Sequence, residues 1–165
     1  MAKSCLSVIP LTVFGVIEPL LLIWAYITAL QDLPAFYEAQ APNIPLSAPG
    51  HIPPQGRVLL LQLLNVYLLL AAVAVICCWT THATVARWYL IAVAFADYGH
   101  IWACYRGVGP DVFWNTGEWN DMLWGGVGGS AVLNVLRWLT VLGAFGKMRD
   151  PRTPAAAGGR GKKNA

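Results

Sequence analysis

Four long apolar runs, over about residues 8–30, 58–79, 85–105 and 122–145, constrain this chain more than any other feature. At ~1.5 Å of rise per residue, ~20 residues cross the ~30 Å hydrocarbon core of a bilayer, so each run is long enough for one membrane-spanning helix. The expected fold class is therefore all-α, a four-helix transmembrane bundle over residues 1–146, followed by a basic, disordered tail over 147–165. Only 12% of the 165 residues are charged, and two loops and a tail leave no room for a separate soluble catalytic domain.

The first run begins close to Met1, where a signal peptide also would. It is too long for a signal h-region and holds Glu18-Pro19 where such a region is uniformly apolar, so it is read as a retained helix. Pro19 should kink it and free a carbonyl one turn earlier, a defect tolerated where a neighbouring helix receives that carbonyl.

Basic residues set the expected orientation. The tail carries Lys147, Arg149, Arg152, Arg160, Lys162 and Lys163 against Asp150, whereas the loop before the fourth run has Asp111, Glu118 and Asp121 against Arg106. The tail and Lys3 are thus expected in the cytosol together with the turn at 80–84, and the loops 31–57 and 106–121 on the opposite side. The larger, proline-rich loop is expected to be a partly ordered tether. Lys162-Lys163 stand fourth and third from the end, a pattern that resembles the dilysine signal returning membrane proteins to the endoplasmic reticulum. The four cysteines, Cys5, Cys77, Cys78 and Cys104, lie in or beside the runs and imply no disulfide framework. Cys77-Cys78 is read as ordinary apolar packing, with acylation as the alternative.

Each run also holds a polar residue near its middle, which a bilayer disfavours and which marks candidate sites. Counted from the cytosolic ends, Glu18 lies ~15 Å deep, Asn134 ~17 Å, Asp97 ~18 Å and Asn65 ~21 Å. His100 follows Asp97 by one helical turn, Cys104 lies a turn further, and Gln62 is one turn from Asn65. With these faces turned inward, a polar pocket forms at mid-membrane, opening away from the cytosol. Its rim would hold Trp114, Asn115, Trp119, Asn120 and Asp121.

Simpler roles stand beside each of these. Asn65 and Asn134 suit interhelical hydrogen bonding, Glu18 could pair with Arg137, and Asp97 could pair with His100. Gly125/Gly129 and Gly126/Ser130 make small-xxx-small pairs for close helix contact. Most of the eight tryptophans fit an interfacial belt, Trp79 and Trp88 among them, while Trp24, Trp102, Trp114, Trp119 and Trp124 fall where the pocket would open.

The chain has no metal-ligand spacing, phosphate-cradling glycine loop or nucleophile elbow, so neither a metal nor a cofactor is expected. What remains is acid–base chemistry in an apolar, aromatic cavity. Low dielectric favours the neutral form of a carboxyl group, which can then protonate an alkene or epoxide, and tryptophan faces stabilise a passing carbocation.

The strings Ile17-Glu18-Pro19, Leu64-Asn65-Val66-Tyr67-Leu68-Leu69, Ala96-Asp97-Tyr98-Gly99-His100, Trp114-Asn115 and Trp124-Gly125 resemble a family of small fungal four-span membrane proteins of uncharacterised function. Members of that group occur beside natural-product biosynthetic genes as well as alone. By chemistry rather than sequence, the chain is also similar to the fungal membrane-bound terpene cyclases and the emopamil-binding sterol isomerases, which use intramembrane acids without a metal. That likeness implies Glu18 and Asp97 as candidate acids; with the helical spacing, Asp97 is read as proton donor, Glu18 as second acid or base and His100 as the group tuning Asp97. Gln62, Asn65, Trp102, Trp114, Trp119, Asn120, Trp124 and Asn134 would then contact substrate.

The expected function is cofactor-free isomerisation or cyclisation of a lipophilic polyprenyl or sterol-like substrate in fungal terpenoid or meroterpenoid biosynthesis. The main rival is a non-enzymatic membrane partner that binds lipid or steadies a biosynthetic enzyme. A proton-coupled transporter is a third reading, disfavoured by the lack of an internal repeat. The net charge of +3, concentrated in the tail, points to anionic lipid and not to nucleic acid.

Overall fold

Pro19 and Gly109-Pro110 mark two of the places where the long helices depart from ideal geometry. The computed structural model describes residues 4–46, 48 and 50–148. Lys3, Arg149, Asp150, Arg152, Arg160 and the Lys162-Lys163 ending lie outside the described residues, and with them nearly all of the basic tail.

The described residues form helices and no strand. Helix α1 runs Val8–Gln31, α2 Leu33–Ala39, α3 Pro54–Cys78, α4 Ala83–Trp114 and α5 Asp121–Leu142, with a short 3-10 turn at Thr116–Glu118. Three of them, α1, α3 and α5, are long and apolar enough to cross a membrane. Helix α4 is longer, 32 residues, but Arg87, Asp97, His100 and Arg106 interrupt its apolar surface.

Helix α1 lies along α3, and α4 along α5. Both pairs are antiparallel. Cys5 N–H donates to Thr80 O at 3.0 Å, while at the other end Ala29 packs with Leu60 and Leu64. Across the second pair, Asn134 reaches Ala94 and Gly126 faces His100.

Within α1, residues Val13–Ile17 form a π-helical turn, immediately before Glu18-Pro19. Such turns are rare and recur at functional positions. The carbonyl four residues before Pro19 belongs to Gly15, and the Trp79 indole N–H donates to it at 3.0 Å. The expected freed carbonyl is thus received by the neighbouring helix end, and Trp79 has an intramolecular task beyond an interfacial belt. Gly15 permits the approach, because a Cβ there would stand 3.2 Å from Cys78 Cβ and 3.1 Å from Trp79 Nε1. Cys78 is fully buried in this contact, in keeping with the packing role expected of it.

A second π-helical turn, Trp124–Gly129, opens α5. The close helix contact expected of Gly125 and Gly129 is not made there: a Cβ on Gly125 would meet nothing within 4 Å, and one on Gly129 only its own helix's Trp124 O. Of the other expected pair, Gly126 does approach α4, with His100 Nε2 at 3.2 Å from where its Cβ would be.

The described residues of the loop expected to be a partly ordered tether are held by specific hydrogen bonds. Asp32 caps α2 by accepting from Ala35 N–H at 3.0 Å. Asn43 Nδ2 donates to Val108 O at 2.9 Å, and Asn120 Nδ2 donates to Ala39 O at 3.0 Å. The first of these two bonds joins the two loops beside Gly109, whose φ of 80° and following Pro110 break the line of α4.

Candidate functional site

Arg137 sits one helical turn beyond Asn134 on α5, and its side chain reaches between α1 and α4. Its Nη2 donates to Glu18 Oε1, and its Nη1 donates to Asp97 Oδ2 at 2.5 Å. Asn134 Nδ2 completes the cluster, donating to Ala94 O at 2.7 Å and lying 3.4 Å from Asp97 Oδ2. Arg137 is 1% exposed, Asn134 5%, and Glu18 and Asp97 8% each. Three helices therefore meet at one guanidinium, whose planar fork suits two carboxylates at once.

The π-turn of α1 positions Glu18 and also buries Phe14, whose ring centroid lies 5.2 Å from the guanidinium carbon. A cation over an aromatic face in a desolvated site is stabilised by the ring quadrupole. Phe14 and the buried Tyr89, with Cys78, Ala86 and Leu90, form the apolar packing at this level. Burial of this kind raises the energetic stake of every polar group that is paired, and of any that is not. Two atoms in the cluster have no hydrogen-bond partner among the described residues: Glu18 Oε2 and Arg137 Nε.

Of the residues expected to form one polar pocket, the structure brings together Glu18, Asp97 and Asn134, with Arg137 at their centre. The Glu18–Arg137 pairing considered from sequence is present, and the Asp97–His100 pairing is not. His100 is exposed; its Nε2 lies 3.9 Å from Cys104 Sγ, and no hydrogen bond joins it to Asp97 among the described residues. Gln62 and Asn65 are exposed on α3, whose buried residues are Leu60, Leu64, Ala71, Ala74 and Cys78. At ~100° per residue that places the amides on roughly the opposite face, away from Asp97.

The tryptophans likewise stand apart from the acids. Trp102 is 62% exposed and lies under Arg106, and Trp114 and Trp124 are exposed as well. Trp119 donates its indole N–H to Val112 O at 3.1 Å and to Phe113 O at 3.2 Å, and its ring meets Trp124 at 5.0 Å. Asn120 caps α5 and bonds to α2. The aromatic residue against the cluster is Phe14, which polarity alone does not single out. Its signal in the sequence is its place one turn before Glu18.

A family model described as Domain of unknown function (DUF7704) matches residues 3–147. The chain belongs to that family. The match takes in all five helices and every member of the Glu18–Arg137–Asp97 cluster. No curated protein and no solved structure matches the chain.

Chemically, the cluster can hold three helices in one register. It can also hold a proton: with both carboxyls ionised, two acids and one guanidinium sum to a charge of −1, which one bound proton cancels. Among the described residues no group of three His, Cys, Asp or Glu side chains is arranged to hold a metal ion.

Proposed function

We propose that this protein is a four-helix transmembrane bundle, with α4 as the fourth crossing, and that it acts as a non-enzymatic membrane partner that binds lipid or steadies a biosynthetic enzyme in the same membrane. The observation that carries this reading is the engagement of both candidate acids by one buried guanidinium. An acid bound in that way stabilises the bundle and is a poor free proton donor. The residues that would enclose a substrate, Gln62, Asn65, Trp102, Trp114 and Trp124, face outward. Burial of Asp97 against Arg137 also lowers the cost of carrying α4 through a bilayer, because the pair is neutral as a unit. An endoplasmic-reticulum membrane of a fungal cell, with both termini cytosolic, belongs to this reading, and the excess of basic over acidic residues after Gly146 supports the cytosolic side for the tail.

One observation favours the acid-catalysed isomerase or cyclase as a second reading: Glu18 Oε2 is buried without a partner, in a cluster that has one acid more than it has bases. Glu18, rather than Asp97, is then the donor, since Asp97 Oδ2 is held by both Arg137 and Asn134.

The test is an untargeted metabolite profile of the host lacking this gene, restored with the wild-type chain, Asp97→Asn or Glu18→Gln at matched membrane abundance. The partner reading expects all three to restore the product. An unsaturated or epoxidised isomer of unchanged mass left by either variant overturns it in favour of the enzyme.

A further inference from the structure

Helix α3 is the most apolar of the candidate spans, yet Gln62 and Asn65 stand exposed on it, one turn apart, with Asn65 at the helix middle. Neither side chain has a hydrogen-bond partner among the described residues. Facing hydrocarbon, an unpaired amide loses its hydrogen bonds to water and gains none, a penalty of several kcal/mol on transfer scales. Something polar must therefore meet this face in a membrane.

The pattern along α3 indicates what does. Val58, Gln62, Asn65, Leu69, Ala72 and Ile76 are all exposed and follow one another at spacings of 4, 3, 4, 3 and 4 residues. That is a 3.5-residue repeat, which keeps one stripe facing a partner helix in a left-handed crossing. The stripe lies opposite the face of α3 that packs on α1, so no helix among the described residues covers it. Ala72 allows close approach. An asparagine at such a seam fixes register and oligomeric state by pairing with its own copy, because an amide both donates and accepts. Two copies related by a twofold axis bring the same amides to each other and satisfy both.

We propose that this stripe of α3 is a homodimer interface, in which Asn65 and Gln62 of one copy pair with those of a second copy of this chain inside the membrane. The inference rests on the reading of α3 as a membrane span. It goes beyond the partner function, because it names the chain itself as the first occupant of an outward face.

The test uses the full chain expressed with two different tags, co-purified from mild detergent after membranes are washed in alkaline carbonate. Retention of the chain in washed membranes is the control on the membrane reading; its release removes that reading and this one with it. With the chain retained, the wild type is expected to co-purify its other-tagged copy. Gln62→Leu/Asn65→Leu should reduce that about tenfold, the range set by one to two interhelical amide contacts. The variant makes α3 more apolar, so it should accumulate normally, and Val132→Asn on the exposed face of α5 should leave co-purification unchanged. Undiminished pairing in the α3 variant, or a wild-type chain that recovers only a different protein through this face, overturns the proposal.

Discussion

Trp79 hands its indole N–H to the carbonyl of Gly15, 3.0 Å away, and that carbonyl precedes Pro19 by one helical turn. A backbone defect in one helix and a side chain at the end of another thus complete each other. Removing the donor with Trp79→Phe should destabilise the fold by about 1 kcal/mol. Pro19→Ala restores a backbone N–H in α1, so the same Trp79→Phe change should cost measurably less in that background. Unfolding in detergent micelles, read as a double-mutant cycle, checks this; equal costs in both backgrounds would separate Trp79 from Pro19.

Arg137 is the member of the cluster on which the others depend. Arg137→Met leaves two buried acids without a base, and should destabilise the bundle by about 3–5 kcal/mol. Glu18→Gln or Asp97→Asn leaves one acid opposite one base, and should be the milder change. The triple variant Glu18→Gln/Asp97→Asn/Arg137→Met carries no charge at the site and should recover much of what Arg137→Met alone loses. Membrane abundance and thermal aggregation of the four proteins give the order directly.

Depth was legible in the sequence, and facing direction was not. Counting residues from the helix ends placed Glu18, Asp97 and Asn134 at one level, and these three do meet around Arg137. Asn65 was placed at nearly the same level and faces the other way, because position along a helix says nothing about rotation when no neighbour is yet known. Both π-turns add to the difficulty: Val13–Ile17 and Trp124–Gly129 each shift the helical phase just where Glu18 and the glycines of α5 are being aimed. Helix α2 was hidden for another reason. Leu33–Ala39 lies in a proline-rich stretch, and its support is tertiary, from Asn120 at its end and from packing of Phe36 in the core beside Ala29 and Leu60.

The glycines of α5 give a test of that phase shift. Gly126→Val sets a side chain against His100 Nε2, which stands 3.2 Å from where a Cβ begins, whereas Gly125→Val enters open space. Gly126→Val should therefore push the His100 ring aside and lower stability by at most about 1 kcal/mol, because its neighbour is the far end of an exposed side chain. Gly125→Val should change it little, and His100→Ala should relieve Gly126→Val. A larger loss at Gly125 than at Gly126 in the same unfolding measurement would return the helix contact to the 125/129 pair.

Asn120 performs two separable tasks. Its Oδ1 accepts from Leu123 N–H at 2.9 Å as the cap of α5, and its Nδ2 donates to Ala39 O at 3.0 Å, tying α2 to the opposite loop. Asn120→Asp keeps the accepting oxygen and loses the donor; Asn120→Ala loses both. Loss of the cap costs about 1 kcal/mol and loss of the loop bond about as much again. Hydrogen exchange should accordingly speed up over 33–39 in both variants, and over 121–124 only in Asn120→Ala. Protection of 33–39 that survives Asn120→Asp would mean that Asn43, through its bond to Val108 O, holds the two loops together without help from Asn120.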